Sequence, residues 1–300
     1  MPHHISSNLR RRIIDAALAA ERDSSEELSV STLAEFAEVS DKHFQRCFRQ
    51  IIGESPKSYV RRLRLQKAAY LLKWSDIPVI NIAMRAGFST HAGFTKAFVR
   101  AYSLSPQQFR ESRDVMPYLF SRETDVDPTD FNDLAVSRLI VRVQQQPDWR
   151  VAAMRHIGPT EKIAEVWPRM IAWADGRSLL NEQSILLGIH NDYWDTNAED
   201  KYRYDAAIVV PSDFTSDDEV NAFSIPAGEI AMTEFSGSLS QADVTWGRFV
   251  DQWLPVSGYQ FRANFVFDHY PVELVTGGRL QNILQTLVGI RATFCIPVKK

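Results

Sequence analysis

The sequence predicts a multidomain chain: an all-α N-terminal third holding two helix-turn-helix units, then an α+β domain made of two βαββ-like units. The first observation behind this is a repeat of fifty residues, in which Phe44, Phe48, Pro56 and Tyr59 recur as Phe94, Phe98, Pro106 and Phe109. The second is a repeat of 79 residues further on, with Pro147/Pro226, Val151/Ile230, Ala152/Ala231, Gly158/Gly237 and Trp167/Trp246 coinciding in order. The third is a charge asymmetry. Residues 1–112 carry 17 Lys/Arg against 11 Asp/Glu, a net of +6, and the remainder carries 17 against 26, a net of −9. A basic first part suits a polyanionic partner, and an acidic remainder does not.

The elements follow in order. Residues 8–21 place Leu9, Ile13, Ala16, Ala17 and Ala20 on one helical face. The first helix-turn-helix spans about 30–53, and a long helix runs from Pro56, which suits a first helical turn, to Trp74. It carries Tyr59, Leu63, Ala69 and Leu72 inward and Arg61, Arg62, Arg64 and Lys67 mostly outward. Pro78 opens the second unit, which ends near Arg110. Residues 113–134, with Asp125-Val126-Asp127-Pro128, lack helical periodicity and read as a linker between a 1–112 domain and a 135–300 domain. Beyond it, 139–143, 151–154, 184–190 and 204–210 read as strands and 161–174 as a helix. Five matches at one offset imply a duplicated unit with a pseudo-twofold.

Cys47 and Cys295 lie far apart in apolar runs and read as buried, reduced thiols. There is no apolar run near the roughly 18 residues of a membrane span and no signal-peptide core, so a cytoplasmic protein is expected. No metal-ligand spacing joins His156, His190 and His269, and no cofactor is expected.

In a helix-turn-helix the second helix lies in the major groove of double-stranded DNA, its N-terminal side chains on the base edges. The first candidate is 41–52, capped by Ser40, with Phe44, Phe48 and Ile51 on one stripe and Lys42, Gln45, Arg46 and Arg49 opposite. Gln pairs with adenine, and Arg or Lys with guanine. The second is 91–102, capped by Thr90 or Ser89, with His91, Ala92, Thr95, Lys96 and Arg100 outward. It is thinner in donors, and Gly93 lowers its helix propensity. Readers in successive grooves would lie about 34 Å apart. Arg61, Arg62, Arg64 and Lys67 either touch phosphate or stand exposed.

The carrying residues Leu33-Ala34-Glu35-Phe36-Ala37, Ser40-x3-Phe44-x3-Phe48, Gly53-Glu54-Ser55-Pro56-x2-Tyr59, Ile82-Ala83-x2-Ala86-Gly87-Phe88 and Phe94-x3-Phe98-x6-Ser105-Pro106 resemble the DNA-binding domain of the AraC/XylS family of bacterial transcription regulators. The resemblance implies two helix-turn-helix units joined by a long helix. Its reading positions fall on Lys42, Gln45 and Arg46 and on His91, Ala92, Thr95 and Lys96, with Gly93 a departure.

Six of the seven tryptophans lie beyond the linker. Trp167, Trp194, Tyr204, Phe235, Trp246, Phe249, Trp253 and Tyr270 are either core or, with a carboxylate, the lining of a pocket for a flat or cationic molecule. Asp268 and Glu273 are the candidate counter-ions, or else surface acids. Arg150-Val151-Ala152-x2-Arg155-His156-x-Gly158-Pro159, Trp253-Leu254-Pro255-x-Ser257-Gly258-Tyr259 and Cys295-Ile296-Pro297-Val298 resemble the gyrase-inhibitor-like (GyrI-like) effector-binding domain. That resemblance implies a ligand groove on the pseudo-twofold, lined by aromatics and often one Glu, here replaced by Asp268. The expectation is a regulator controlled by a small-molecule effector, with RNA polymerase as a partner. The alternatives are a protein-binding C-terminal domain, or hydrolase activity resting on Glu273, Asp268 or Tyr204, for which no nucleophile–base pair is visible.

Overall fold

The computed structural model describes residues 5–22, 29–111, 139–192, 202–263, 265–275 and 290–300. Residues 113–134, expected to be a linker, and Trp194 lie outside the described residues. The chain forms two compact units.

The helical unit holds α1 (Ser7–Arg22), α2 (Val30–Phe36), α3 (Asp41–Ile52), α4 (Pro56–Trp74), α5 (Val79–Arg85), α6 (His91–Tyr102) and α7 (Pro106–Glu111). Its boundaries are set by caps. Ser29 Oγ accepts from the Thr32 N–H, Ser55 Oγ from Ser58 and Thr90 Oγ1 from Gly93. α3 ends on Gly53 at φ 88° and α6 on Ser103 at φ 58°, the left-handed turn that stops a helix. Ser40 differs from expectation: it occupies the N-cap position of α3 without a side-chain cap bond. Instead Asp41, in the first turn, accepts from Ser31 Oγ at 3.0 Å and joins α3 to α2, and its charge suits a helix N-terminus.

The repeated phenylalanines are the core because i, i+4 spacing stacks them on one face. Ile13, Ala16, Ala17, Ala20, Leu33, Ala34, Phe44, Cys47, Phe48 and Tyr59 form the first cluster. In the second, the Phe94 and Phe98 rings lie 5.4 Å apart and Phe98 and Phe109 5.2 Å apart. Burying each such ring contributes about 1.5–3 kcal/mol. Arg110 ties α7 to the α4–α5 connection by donating to the carbonyls of Leu72 and Ile77.

The second unit is an antiparallel sheet with helices. Its elements are β1 (Arg142–Gln146), β2 (Trp149–Ile157), α8 (Val166–Asp175) after a 3-10 turn, β3 (Leu186–His190), β4 (Arg203–Val210), β5 (Asn221–Ile225), β6 (Gly228–Gly237), α9 (Leu239–Gly247) with a π-helical extension over Arg248–Trp253, β7 (Gln260–Phe261), β8 (Val266–Tyr270), α10 (Val272–Val275) and β9 (Ile290–Lys299). The strand order is β1-β6-β9-β8-β3-β4-β2-β5, with β7 added to β9. The order is symmetric about the β3–β8 pair: β3, β4 and β2 mirror β8, β9 and β6, which is the duplicated βαββ unit. The outer strands are exchanged, β1 flanking the second repeat and β5 the first. At the middle of the β3–β8 pairing Gly188 faces Asp268.

One strand boundary was misplaced by composition. The apolar run 139–143 predicts a strand, yet β1 spans 142–146 and Ile140 is 68% exposed. β1 is an edge strand whose extent is set by its ladder with β6, not by its own apolarity. β5, which carries no strong apolar alternation, was missed.

Candidate functional site

On α3 the amphipathic pattern leaves Phe44, Cys47 and Phe48 buried and Lys42, Gln45, Arg46 and Arg49 exposed. Half-buried His43 sits between the two faces. Arg46 Nη2 donates to His43 Nδ1 at 3.0 Å, and His43 Nε2 lies 3.6 Å from Cys47 Sγ. On α6, His91, Ala92, Lys96 and Arg100 are exposed above buried Phe94 and Phe98. Thr95 is placed differently: it is half-buried, and its hydroxyl is enclosed without a hydrogen-bond partner among the described residues. Its position borders the buried stripe of Phe94 and Phe98. Gly93 has a local cause. Its N–H closes the Thr90 cap, and a Cβ there would lie 2.9 Å from Thr90 Oγ1.

The basic residues of α4 divide. Arg61 is exposed, but Arg62 donates twice to Glu54 Oε1, at 2.7 and 3.1 Å, with its guanidinium over the Tyr59 ring. Arg64 packs over Gly87, which has φ 73° and would drive a Cβ into the guanidinium. These two arginines hold the helical unit together rather than standing free for phosphate.

In the sheet unit, a polar network crosses the β3–β8 centre. Trp167 Nε1 donates to Tyr204 OH at 3.0 Å, and Tyr270 OH donates to Asp268 Oδ2 at 2.8 Å. His190, on β3, joins Asp268 Oδ2 through Nε2 at 2.9 Å and Tyr202 OH through Nδ1 at 2.7 Å. Asp268 is 5% exposed, and its Oδ1 has no partner among the described residues. Gly188 makes room for the network, since a Cβ there would collide with Tyr204 OH and the Tyr270 ring. Burial first, then the Asp268 carboxylate, push the Tyr204 and Tyr270 hydroxyls well above the ordinary tyrosine pKa, so both stay protonated.

Trp167, Tyr204, Asp268 and Tyr270 are thus brought together. Trp246 stands edge-on to His190 at 6.4 Å and stacks on Phe294 at 4.7 Å, with Phe235 on the other stack of Phe294 at 4.9 Å. Phe249 is buried beside Trp246; Trp253 is half-buried and stacks on Tyr259. Glu273 lies exposed on α10. His190, Tyr202 and Phe294 were missed. Strand alternation places His190 on the Asp268 face only once β3 is known to pair with β8.

Residues 33–112 match the helix-turn-helix domain family, and residues 141–277 the GyrI-like small molecule binding domain family. A probable transcription factor, PqrA, of Proteus vulgaris is 36% identical over 87 residues, which are 29% of this chain and 71% of that protein. The chain belongs to the AraC-type helix-turn-helix regulators. An uncharacterized HTH-type transcriptional regulator of Haemophilus influenzae shares 39% identity with this AraC-type chain over 102 residues, 34% of each protein. The chain spans about a third of the length of most curated regulators it matches. The C-terminal domain of AraT, a response regulator from Geobacillus stearothermophilus, is 31% identical, with 40% of this chain and 95% of that one covered, at a TM-score of 0.31. No helix among the described residues is long and apolar enough to cross a membrane.

Proposed function

We propose that this AraC-type chain is a sequence-specific transcription regulator. α3 and α6 enter the major groove of double-stranded DNA, and the sheet unit takes a small molecule, aromatic or cationic, that alters transcription. RNA polymerase is the protein partner at the promoter. The observation that carries the reading is α3: four polar or basic side chains, Lys42, Gln45, Arg46 and Arg49, stand exposed directly behind the turn on a helix whose other face is buried.

Operators selected from a random duplex pool provide the test. Affinity falls steeply with salt. Arg46→Ala costs about 1–3 kcal/mol on the selected operator and relaxes the base preference at one position. Unchanged specific and non-specific affinity would remove α3 as the reader.

The effector arm is tested by tryptophan fluorescence of the full chain against neutral, cationic and anionic aromatic probes. Saturable quenching is expected, with Asp268→Asn weakening the best probe roughly tenfold as the carboxylate acceptor is lost. Quenching by no probe would turn the sheet unit into a protein-contact domain.

A further inference from the structure

Half-buried His43 bridges exposed Arg46 and buried Cys47. We propose that His43 is a positioning residue for base reading by Arg46, braced from behind by Cys47; this rests on the proposal that α3 reads DNA. A guanidinium has donors only, so in the 3.0 Å contact His43 Nδ1 is the acceptor. The neutral ring then carries its proton on Nε2, which is the atom facing the buried Cys47 sulfur at 3.6 Å. Cys47 is part of the core cluster and cannot swing away, so it anchors the ring, and the ring anchors Arg46.

The consequence is directional. His43 lies one turn N-terminal to Arg46, so the bond draws the guanidinium toward the end of α3 that enters the groove. One of the five N–H groups is used, and the remaining donors are left for guanine. Ordering a long side chain before binding removes that entropy from the binding step. α6 lacks the device: fifty residues on, His43, Arg46 and Cys47 are replaced by Gly93, Lys96 and Ala97. The two halves of the operator are therefore read unequally, with sharper discrimination on the α3 side.

The test measures the ratio of selected-operator to scrambled-duplex affinity for the full chain by fluorescence anisotropy at fixed salt. Thermal melting runs alongside. His43→Leu, which keeps bulk but has no acceptor, lowers the ratio about three- to tenfold with scrambled-duplex affinity unchanged. His43→Gln, which restores an acceptor, keeps most of the ratio. In an Arg46→Ala background His43→Leu has no further effect. An unchanged ratio in His43→Leu, an effect that persists without Arg46, or equal loss in Leu and Gln variants with lowered melting overturns the proposal. If Arg46→Ala is itself silent, the reading of α3 fails and takes this one with it.

Discussion

Asp192→Ala is expected to destabilise the sheet unit by about 3–5 kcal/mol, because it leaves a buried guanidinium without its counter-charge. Arg203 is 2% exposed and Asp192 1%. Arg203 Nε donates to Asp192 Oδ2 at 2.8 Å and Nη2 to Oδ1, and the Arg203 backbone N–H also donates to Oδ2, at 2.7 Å. The carboxylate thus closes the gap between the end of β3 and the start of β4, beside the His190 network. A unit of this size loses roughly 2–4 °C per kcal/mol, so calorimetry of the full chain should show a fall of about 6–20 °C. Replacing both partners, as in Asp192→Leu with Arg203→Met, should recover much of it, since no charge is then left buried. A midpoint unmoved by Asp192→Ala would mean that the pair does not hold the strands.

Phe48→Ala carries a comparable cost, about 3–5 kcal/mol, through the cavity it opens. Its ring lies 5.2 Å from both Phe44 and Tyr59, edge-on to the latter, so one aromatic side chain of α3 and one of α4 lose a shared partner. The exposed face of α3 is rigid only because this buried face is filled. Operator affinity should fall together with the helical melting signal, whereas Phe48→Leu, which leaves a smaller cavity, should cost clearly less. Full operator affinity and an unchanged melting curve in Phe48→Ala would show that α3 does not depend on its core for orientation.

Much of the helical unit was legible in the sequence. The spacing of Phe44/Phe48 and Phe94/Phe98, Pro56 behind Ser55, and Gly53 after α3 are local signals, and helix hydrogen bonds and caps are made within a few residues. Even there, contacts across elements escaped. The engagement of Arg62 by Glu54, the packing of Arg64 on Gly87 and the enclosed hydroxyl of Thr95 depend on how neighbouring helices meet. In the second unit the 79-residue repeat announced the duplication, and Asp268 was one of two candidate counter-ions, alongside Glu273, which lies exposed on α10. His190, the partner of Asp268, was not legible, because the two are 78 residues apart.

By itself, then, the sequence determined the two helix-turn-helix units, the exposed polar face of α3 and the duplicated βαββ unit, all of which follow from periodicity and near-neighbour chemistry. The tertiary structure alone decided which side chains share a site. Pairing of β3 with β8 sets Gly188 opposite Asp268 and brings His190 and Tyr270 onto one carboxylate oxygen. Sheet register is a long-range choice, settled by burial over the whole face rather than by any short stretch of residues.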